Sequence, residues 1–191
     1  ALNQEIAKDL NVDTMGSEPC ILFIDGEFWG FYMLRERVDA DYLEAHYGLD
    51  KDDVTVIKNG QLDDGLETEL EEFKQFCVWA VSANMANPLN YEKFCNTVDI
   101  QSFMDYMTVE TYINNSDWAS TGVNNWQAWR SKTVHSDIPE ANGKWRFVLY
   151  DTDISDGLYN SEKNIANYDS LGNNGPKSQY YNFKKKKKNL I

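Results

Sequence analysis

Three polar clusters in this chain carry the residue types that hard-cation and proton-transfer chemistry requires. Asn114, Asn115, Ser116 and Asp117 run together, Asn124 and Asn125 follow, and Asp151-Thr152-Asp153 comes later. The last cluster directly follows the apolar, alternating run Trp145–Tyr150. A strand running straight into Asp-x-Asp delivers carboxylates to a strand end, and alternation points Asp151 and Asp153 to the same side. Two carboxylates with an amide nearby make an all-oxygen site suited to Mg2+ or Mn2+. The positions after Asp151 do not supply the repeated ligands and terminal Glu of a calcium loop. Asp117 is a separate carboxylate, of the type that accepts a hydroxyl proton as general base. The plain alternative for a lone Asp-x-Asp is a turn whose side chains cap neighbouring amides.

The elements that must position these clusters follow from period and punctuation. Leu2, Ile6 and Leu10 recur every four residues and predict one apolar face of a short helix ending near Asn11. Cys20–Ile24, Asp25-Gly26 and Glu27–Leu34 read as a β-hairpin, because Asp-Gly between apolar runs favours a tight turn. Gly30 inside the second strand points to a bulge or a close backbone approach. Asp39 is placed to cap a helix through Tyr47, with Gly48 closing it, and Val54–Lys58 reads as a short strand. Asn59–Gly65 reads as a loop. From Leu66, the positions Leu70, Phe73, Cys77, Ala80 and Val81 follow a helical period that Asn87-Pro88 breaks. A short helix is expected over Tyr91–Cys95, and Asp99 caps a longer one that runs out at Asn114–Asp117. Asn125–Arg130 and Lys144–Tyr150 form a hairpin with a long turn, with Trp145, Phe147 and Leu149 on one face. The fold class is α+β.

Composition narrows the function. Across 191 residues, 42% are hydrophobic and 14% aromatic, enough for a real core despite a mean hydropathy of -0.60. The formal charge is -13, and five of the eighteen basic residues sit in one run, Lys184–Lys188. Such a surface repels phosphate backbones, so nucleic acid is not an expected partner. It suits a metal-dependent site or a basic protein partner, and solubility alone is the bland reading. No apolar run is long enough to span a membrane, and Glu5, Lys8 and Asp9 leave no apolar signal segment at the start. Cys20, Cys77 and Cys95 lack the spacing of a zinc site or a disulfide framework, and Cys77 reads as core. His46 and His135 lie outside the clusters and receive no catalytic role.

In their order, the clusters resemble the spore coat protein H (CotH) kinase-like family. The run Phe23–Asp39 reads Phe-Ile-Asp-Gly-Glu-Phe-Trp-Gly-Phe-Tyr-Met-Leu-Arg-Glu-Arg-Val-Asp, similar to the family's strand–turn–strand signature, with Asp25 where Asn is usual. Asn115-Ser116-Asp117 and Asn124-Asn125 match its "Asn-x-Asp … Asn-Asn" segment. Lys144–Asp153 resembles its "Lys-Trp-x-apolar-x-apolar-x-Asp-x-Asp" strand. The resemblance implies an atypical protein-kinase-like fold with antiparallel hairpins and a helical lobe. It also implies transfer of phosphate from ATP, with Mg2+ or Mn2+, to Ser or Thr of a protein substrate. Members act on spore coat proteins, and related domains occur in secreted bacterial proteins, some attached to cellulosome modules. The implied location is therefore secreted, or on the spore surface of a Gram-positive bacterium.

Carried over by position, Asp117 takes the catalytic-loop Asp. Asp151, Asn124, Asn125 and Asp153 supply the metal ligands, and Glu36 and Val38 lie where the chain passes the adenine. Glu36 and Arg37 are otherwise simply surface charges. The spacing departs from ordinary kinases: Asp117 to Asn124 is seven residues, where H-R-D-x-x-x-x-N gives five. No G-x-G-x-x-G or Walker pattern is present, and the strands and phosphate-binding Lys expected before the first helix are missing. Lys58 or Arg35 could substitute, with no sequence pattern in support. Residues 1–158 are thus expected to be an incomplete kinase-like domain. Residues 159–191 read as an Asn/Lys-rich tail, truncated or poorly ordered. Two other readings stand beside this one. A non-catalytic surface or carbohydrate-binding module would stack sugars on Trp29, Trp126, Trp129 or Trp145, although tryptophans at strand spacing are more often core. A metal-dependent hydrolase would use Asp117, Asp151 and Asp153, against which the lack of His in the clusters counts.

Overall fold

Local capping chemistry sets most element boundaries in the computed structural model, which describes residues 2–115, 117, 118 and 124–156. Helix α1 (Leu2–Ala7) is followed by the antiparallel strands β1 (Ser17–Ile24) and β2 (Glu27–Arg35), turned by Asp25-Gly26. Both turn residues have positive φ, 50° and 83°, as the tight hairpin turn demands. Gly30 lies at the bulge, where the register shifts between Leu22 and Phe23, and its φ of 136° is reserved for glycine. Helix α2 (Ala40–Tyr47) starts at Asp39, whose side chain accepts from the Tyr42 amide, and ends at the left-handed Gly48.

A four-stranded antiparallel sheet forms the centre, in the order β4 (Gln61–Asp64), β3 (Val54–Lys58), β5 (Gln127–Ser131), β6 (Arg146–Val148). Helices α3 (Glu67–Ser82), α4 (Pro88–Thr97) and α5 (Ile100–Tyr112) complete the described chain. The α+β class with antiparallel sheets is as expected. Period-two alternation divides the sheet between two layers. Val54, Val56, Trp129 and Val148 pack with Leu43 of α2 on one face. Ile57, Ala128 and Trp145 pack with Leu70 and Phe73 of α3 on the other. A third cluster joins Ala7 and Val12 to Tyr106, Val109 and Leu149.

Several expectations need correction. The apolar stripe of α1 faces outward, with Leu2 at 69% and Ile6 at 54% exposure, while Asn3, Gln4 and Ala7 are buried. The helix also stops at Ala7, short of Asn11. The reason is polar: Gln4 donates to the carbonyls of Leu149 and Tyr150 at 2.8 and 3.1 Å and accepts from the Met15 amide at 2.9 Å. Those groups extend beyond the β6 ladder, and burying them without partners costs more than exposing two aliphatic side chains. The expected loop Asn59–Gly65 contains β4, because a bulge between Val56 and Ile57 lets Gln61–Asp64 pair with β3. The helix expected over Tyr91–Cys95 begins at Pro88, a residue suited to a first turn. Cys77 is half-buried and packs against the Leu70–Phe73 cluster as its reading as core expects, whereas Val81 is exposed. The tail expectation, residues 159–191, lies outside the described residues.

Candidate functional site

The end of α5 brings the first two polar clusters together. Asn114 turns the chain with a φ of 49°, a left-handed conformation that Asn tolerates, and Asn115 is 1% exposed. The Asn115 Oδ1 accepts from the Asp117 amide at 3.2 Å. The Asp117 carboxylate in turn accepts from Asn125 Nδ2 at 2.8 Å and Asn124 Nδ2 at 3.4 Å. Neutral amide donors fix the rotamer of this carboxylate, and among the described residues it has no cationic partner. The third cluster joins through one bond: Asn115 Nδ2 donates to the Asp151 carbonyl at 2.9 Å. Asp117, Asn124, Asn125 and Asp151 therefore belong to one hydrogen-bonded assembly.

Asp151 and Asp153 lie past the end of β6, and the Asp153 amide donates to Asp151 Oδ1 at 3.2 Å, the capping contact of the turn alternative. Burial and then the neighbouring Asp153 side chain raise the Asp151 carboxyl above its ordinary value, with Arg35 acting in the opposite sense. Two carboxylates in this relation are stabilised by a shared cation. The donor set is sparse: among the described residues no group of three or more His, Cys, Asp or Glu could hold a metal. Sparse carboxylate sets fit Mg2+, which keeps several waters and takes further ligands from phosphates. Asn124 and Asn125 direct their N–H groups to Asp117, and no hydrogen bond joins either side chain to Asp151 or Asp153. Within the expected metal set, Asp151 lies beside Asp153, while Asn124 and Asn125 bond to Asp117 through their amide nitrogens.

Asp151 lies on two adjoining clefts of about 390 and 280 Å³, which share Met15, Arg35, Tyr150 and Asp151. The larger includes Asp153 and the polar face of α1. The smaller includes Glu36, Val38 and Lys58. The Glu36 amide donates to the Gly16 carbonyl at 2.9 Å, and its carboxylate accepts from the Gly16 amide and contacts His46. Burial opposes ionisation of Glu36, but the His46 and Gly16 contacts prevail and hold its carboxyl below the ordinary value. The Val38 carbonyl accepts from Gln127. Both residues are thus fixed by the fold at the cleft wall. Asp117, Asn124 and Asn125 line neither cleft, and among the described residues Asn115 links them to the clefts.

A family profile described as "CotH kinase protein" matches residues 1–191, the whole chain. The chain belongs to the CotH kinase family. No curated protein matches it. Among the described residues no helix is long and apolar enough to cross a membrane. For a CotH chain, the four tryptophans form no sugar platform, because Trp129 and Trp145 are fully buried and Trp126 half-buried. Sequence reasoning gave no support to Arg35 and Lys58, and it passed over Asn3 and Gln4. Only Lys58 left a usable signal, since β3 alternation places it on the same face as Val54 and Val56.

Proposed function

We propose that this CotH domain is an atypical protein kinase of kinase-like fold, transferring the terminal phosphate of ATP to Ser or Thr of a protein substrate. The supporting observation is the Asn115 bridge, which ties the backbone amide of Asp117 to the backbone carbonyl of Asp151 beside the clefts. Asp117 would accept the hydroxyl proton of the acceptor, its lone pairs aimed by Asn124 and Asn125. Asp151 and Asp153 would hold Mg2+ or Mn2+, with Asn124 or Asn125 as a further oxygen donor. When bound, the cation neutralises phosphate charge and orients the phosphate chain. Glu36 and Val38 would line the adenine end, where the Glu36 carbonyl and Val38 amide make no protein hydrogen bond among the described residues. The family's link to the spore coat favours a coat or secreted protein as acceptor, and the acidic chain favours a basic one.

The test is the thermal midpoint of the full chain with ATP, with Mg2+ or Mn2+, and with both, beside Asp151→Asn. Ligand at about 100 times its dissociation constant adds roughly 2.7 kcal/mol to stability. A rise that needs metal and nucleotide together, and vanishes in Asp151→Asn, supports the reading. A cooperative melt unmoved by Mg-ATP refutes it, leaving the non-catalytic module as the better account.

A further inference from the structure

We propose that Arg35 and Lys58 form a two-cation clamp for the phosphate chain, an anion subsite in the smaller cleft that works without metal. The proposal rests on the nucleotide reading of that cleft and adds the groups missing from it. The first observation is charge accounting. Arg37, Lys51, Arg130, Lys132 and Arg146 each have a carboxylate within 4.0 Å. Arg35 and Lys58 have none among the described residues, in a chain with 31 acidic side chains against 18 basic ones. Cations left unpaired in so acidic a molecule are available to a ligand. Among the described residues Lys74, Lys93 and Lys144 are also without carboxylates, but none of them lines either cleft.

Position is the second observation. Lys58 ends β3 opposite Gln127, whose side chain reaches the Val38 carbonyl. Alternation sends Lys58 to the Val54–Val56 face of the sheet, the side of α2 and Val38. Its Nζ lies 4.4 Å from the centroid of the Tyr150 ring, directly before Asp151. A cation–π contact holds the ammonium in place and leaves its charge unneutralised. Arg35 closes β2 opposite Ser17, and lines both clefts with Asp151. Its planar fork matches two phosphate oxygens at once, whereas the Lys58 ammonium acts as a point charge. The two cations come from different elements, the base of the hairpin and the end of β3, and meet at one cleft wall. A chain of several phosphates fits this arrangement better than a single anion.

The experiment is calorimetric titration of the full chain, in EDTA and at low and high salt, with tripolyphosphate, ATP and adenosine. Tripolyphosphate and ATP should bind and weaken with salt. Arg35→Met and Lys58→Met should each lose about tenfold for both anions, and together should abolish binding. Lys58→Arg should restore it, and adenosine should be indifferent to every one of these changes. Lys74→Met should bind as wild type. Unliganded melts of each variant at the wild-type midpoint show that lost binding is not lost folding. No tripolyphosphate or ATP binding by wild type in EDTA, or full binding by both Met variants, overturns the clamp. Loss of the Mg-ATP shift in Asp151→Asn is judged separately, so clamp and metal site can fail independently.

Discussion

The ribbon of β1 and β2 and the central four-stranded sheet are built from the same residue types and meet opposite fates. In the sheet, Val54, Val56, Ile57 and Trp129 are fully buried between α2 and α3. In the ribbon, Phe31 is 81% exposed, and Phe23 and Phe28 are each 58% exposed. Among the described residues its aromatic rings pack on one another, with Phe23–Phe28 and Phe28–Phe31 centroids 5.9 and 5.8 Å apart. An apolar alternating pattern therefore specifies a strand, and a second layer decides whether that strand contributes to stability. A two-stranded ribbon alone is marginal in water. Its base is the exception, because Arg35 and Glu36 are where the ribbon meets the site.

The sharpest test of this contrast pairs Trp129→Ala with Phe31→Ala. Trp129 fills the core and donates to Asp13 at 2.8 Å, so truncation should cost about 3–5 kcal/mol in urea unfolding. Phe31→Ala should cost about 0.5 kcal/mol or less. An equal cost at both positions would mean that the ribbon is covered in solution. Asp99→Ala comes next, at about 3 kcal/mol, since Asp99 caps α5 through the Ser102 amide and binds Arg146 at 2.9 Å. Burial pulls the Asp99 carboxyl upward, but the Ser102 amide, Arg146 and Asn142 outweigh it and leave it below its ordinary value. Its contribution is thus complete above the unfolded carboxylate value and is lost as pH falls through the lower folded value. Acid titration of stability should flatten in the variant.

At the site the sign reverses. Asp151 is raised, so protons compete with a cation at a pH above the ordinary carboxylate value. Mn2+ affinity should fall by about tenfold per pH unit below that raised value, and Asp151→Asn should remove the dependence. The smallest global effect belongs to Gly30→Ala. A Cβ there has room, 3.6 Å from the Tyr32 ring, but the φ of 136° suits only glycine. The midpoint should shift by less than about 1 kcal/mol in stability terms, while amide exchange in β1 and β2 accelerates. Unchanged exchange in the ribbon would show that the bulge is not what fixes its register.

Legibility in the sequence followed range. Asp39, Gly48, Asp25-Gly26 and Asp99 mark ends of elements through contacts to residues a few positions away, and each acts as its type predicts. The face of α1 was misread because its partners lie far along the chain: Gln4 reaches Leu149 and Tyr150, and Asn3 reaches Ser155. Strand β4 escaped because Asp63 and Asp64 read as loop, although a bulge in the ladder admits them. Order along the chain grouped Asp117, Asn124, Asn125 and Asp151, of which only Asp151 lines the two clefts. It gave no view of the intermediary, since Asn115 works through a backbone carbonyl. Asp13 left no sequence signature at all. It is buried, accepts from Trp129 and Tyr47, and sits beside Arg146.

The clasp between Gly16 and Glu36, two hydrogen bonds of 2.9 and 2.7 Å at the foot of the ribbon, acts as a fulcrum. Strand β1 has eight residues, an arm of about 26 Å at about 3.3 Å per residue. A rocking motion of about 5° then swings the tip by about 2 Å, while a residue about 3 Å from the pivot moves by about 0.3 Å. Arg35 sits at that short end. Leverage therefore runs in the direction that protects the cleft, and the ribbon tip can sweep widely while the guanidinium beside Asp151 stays nearly still.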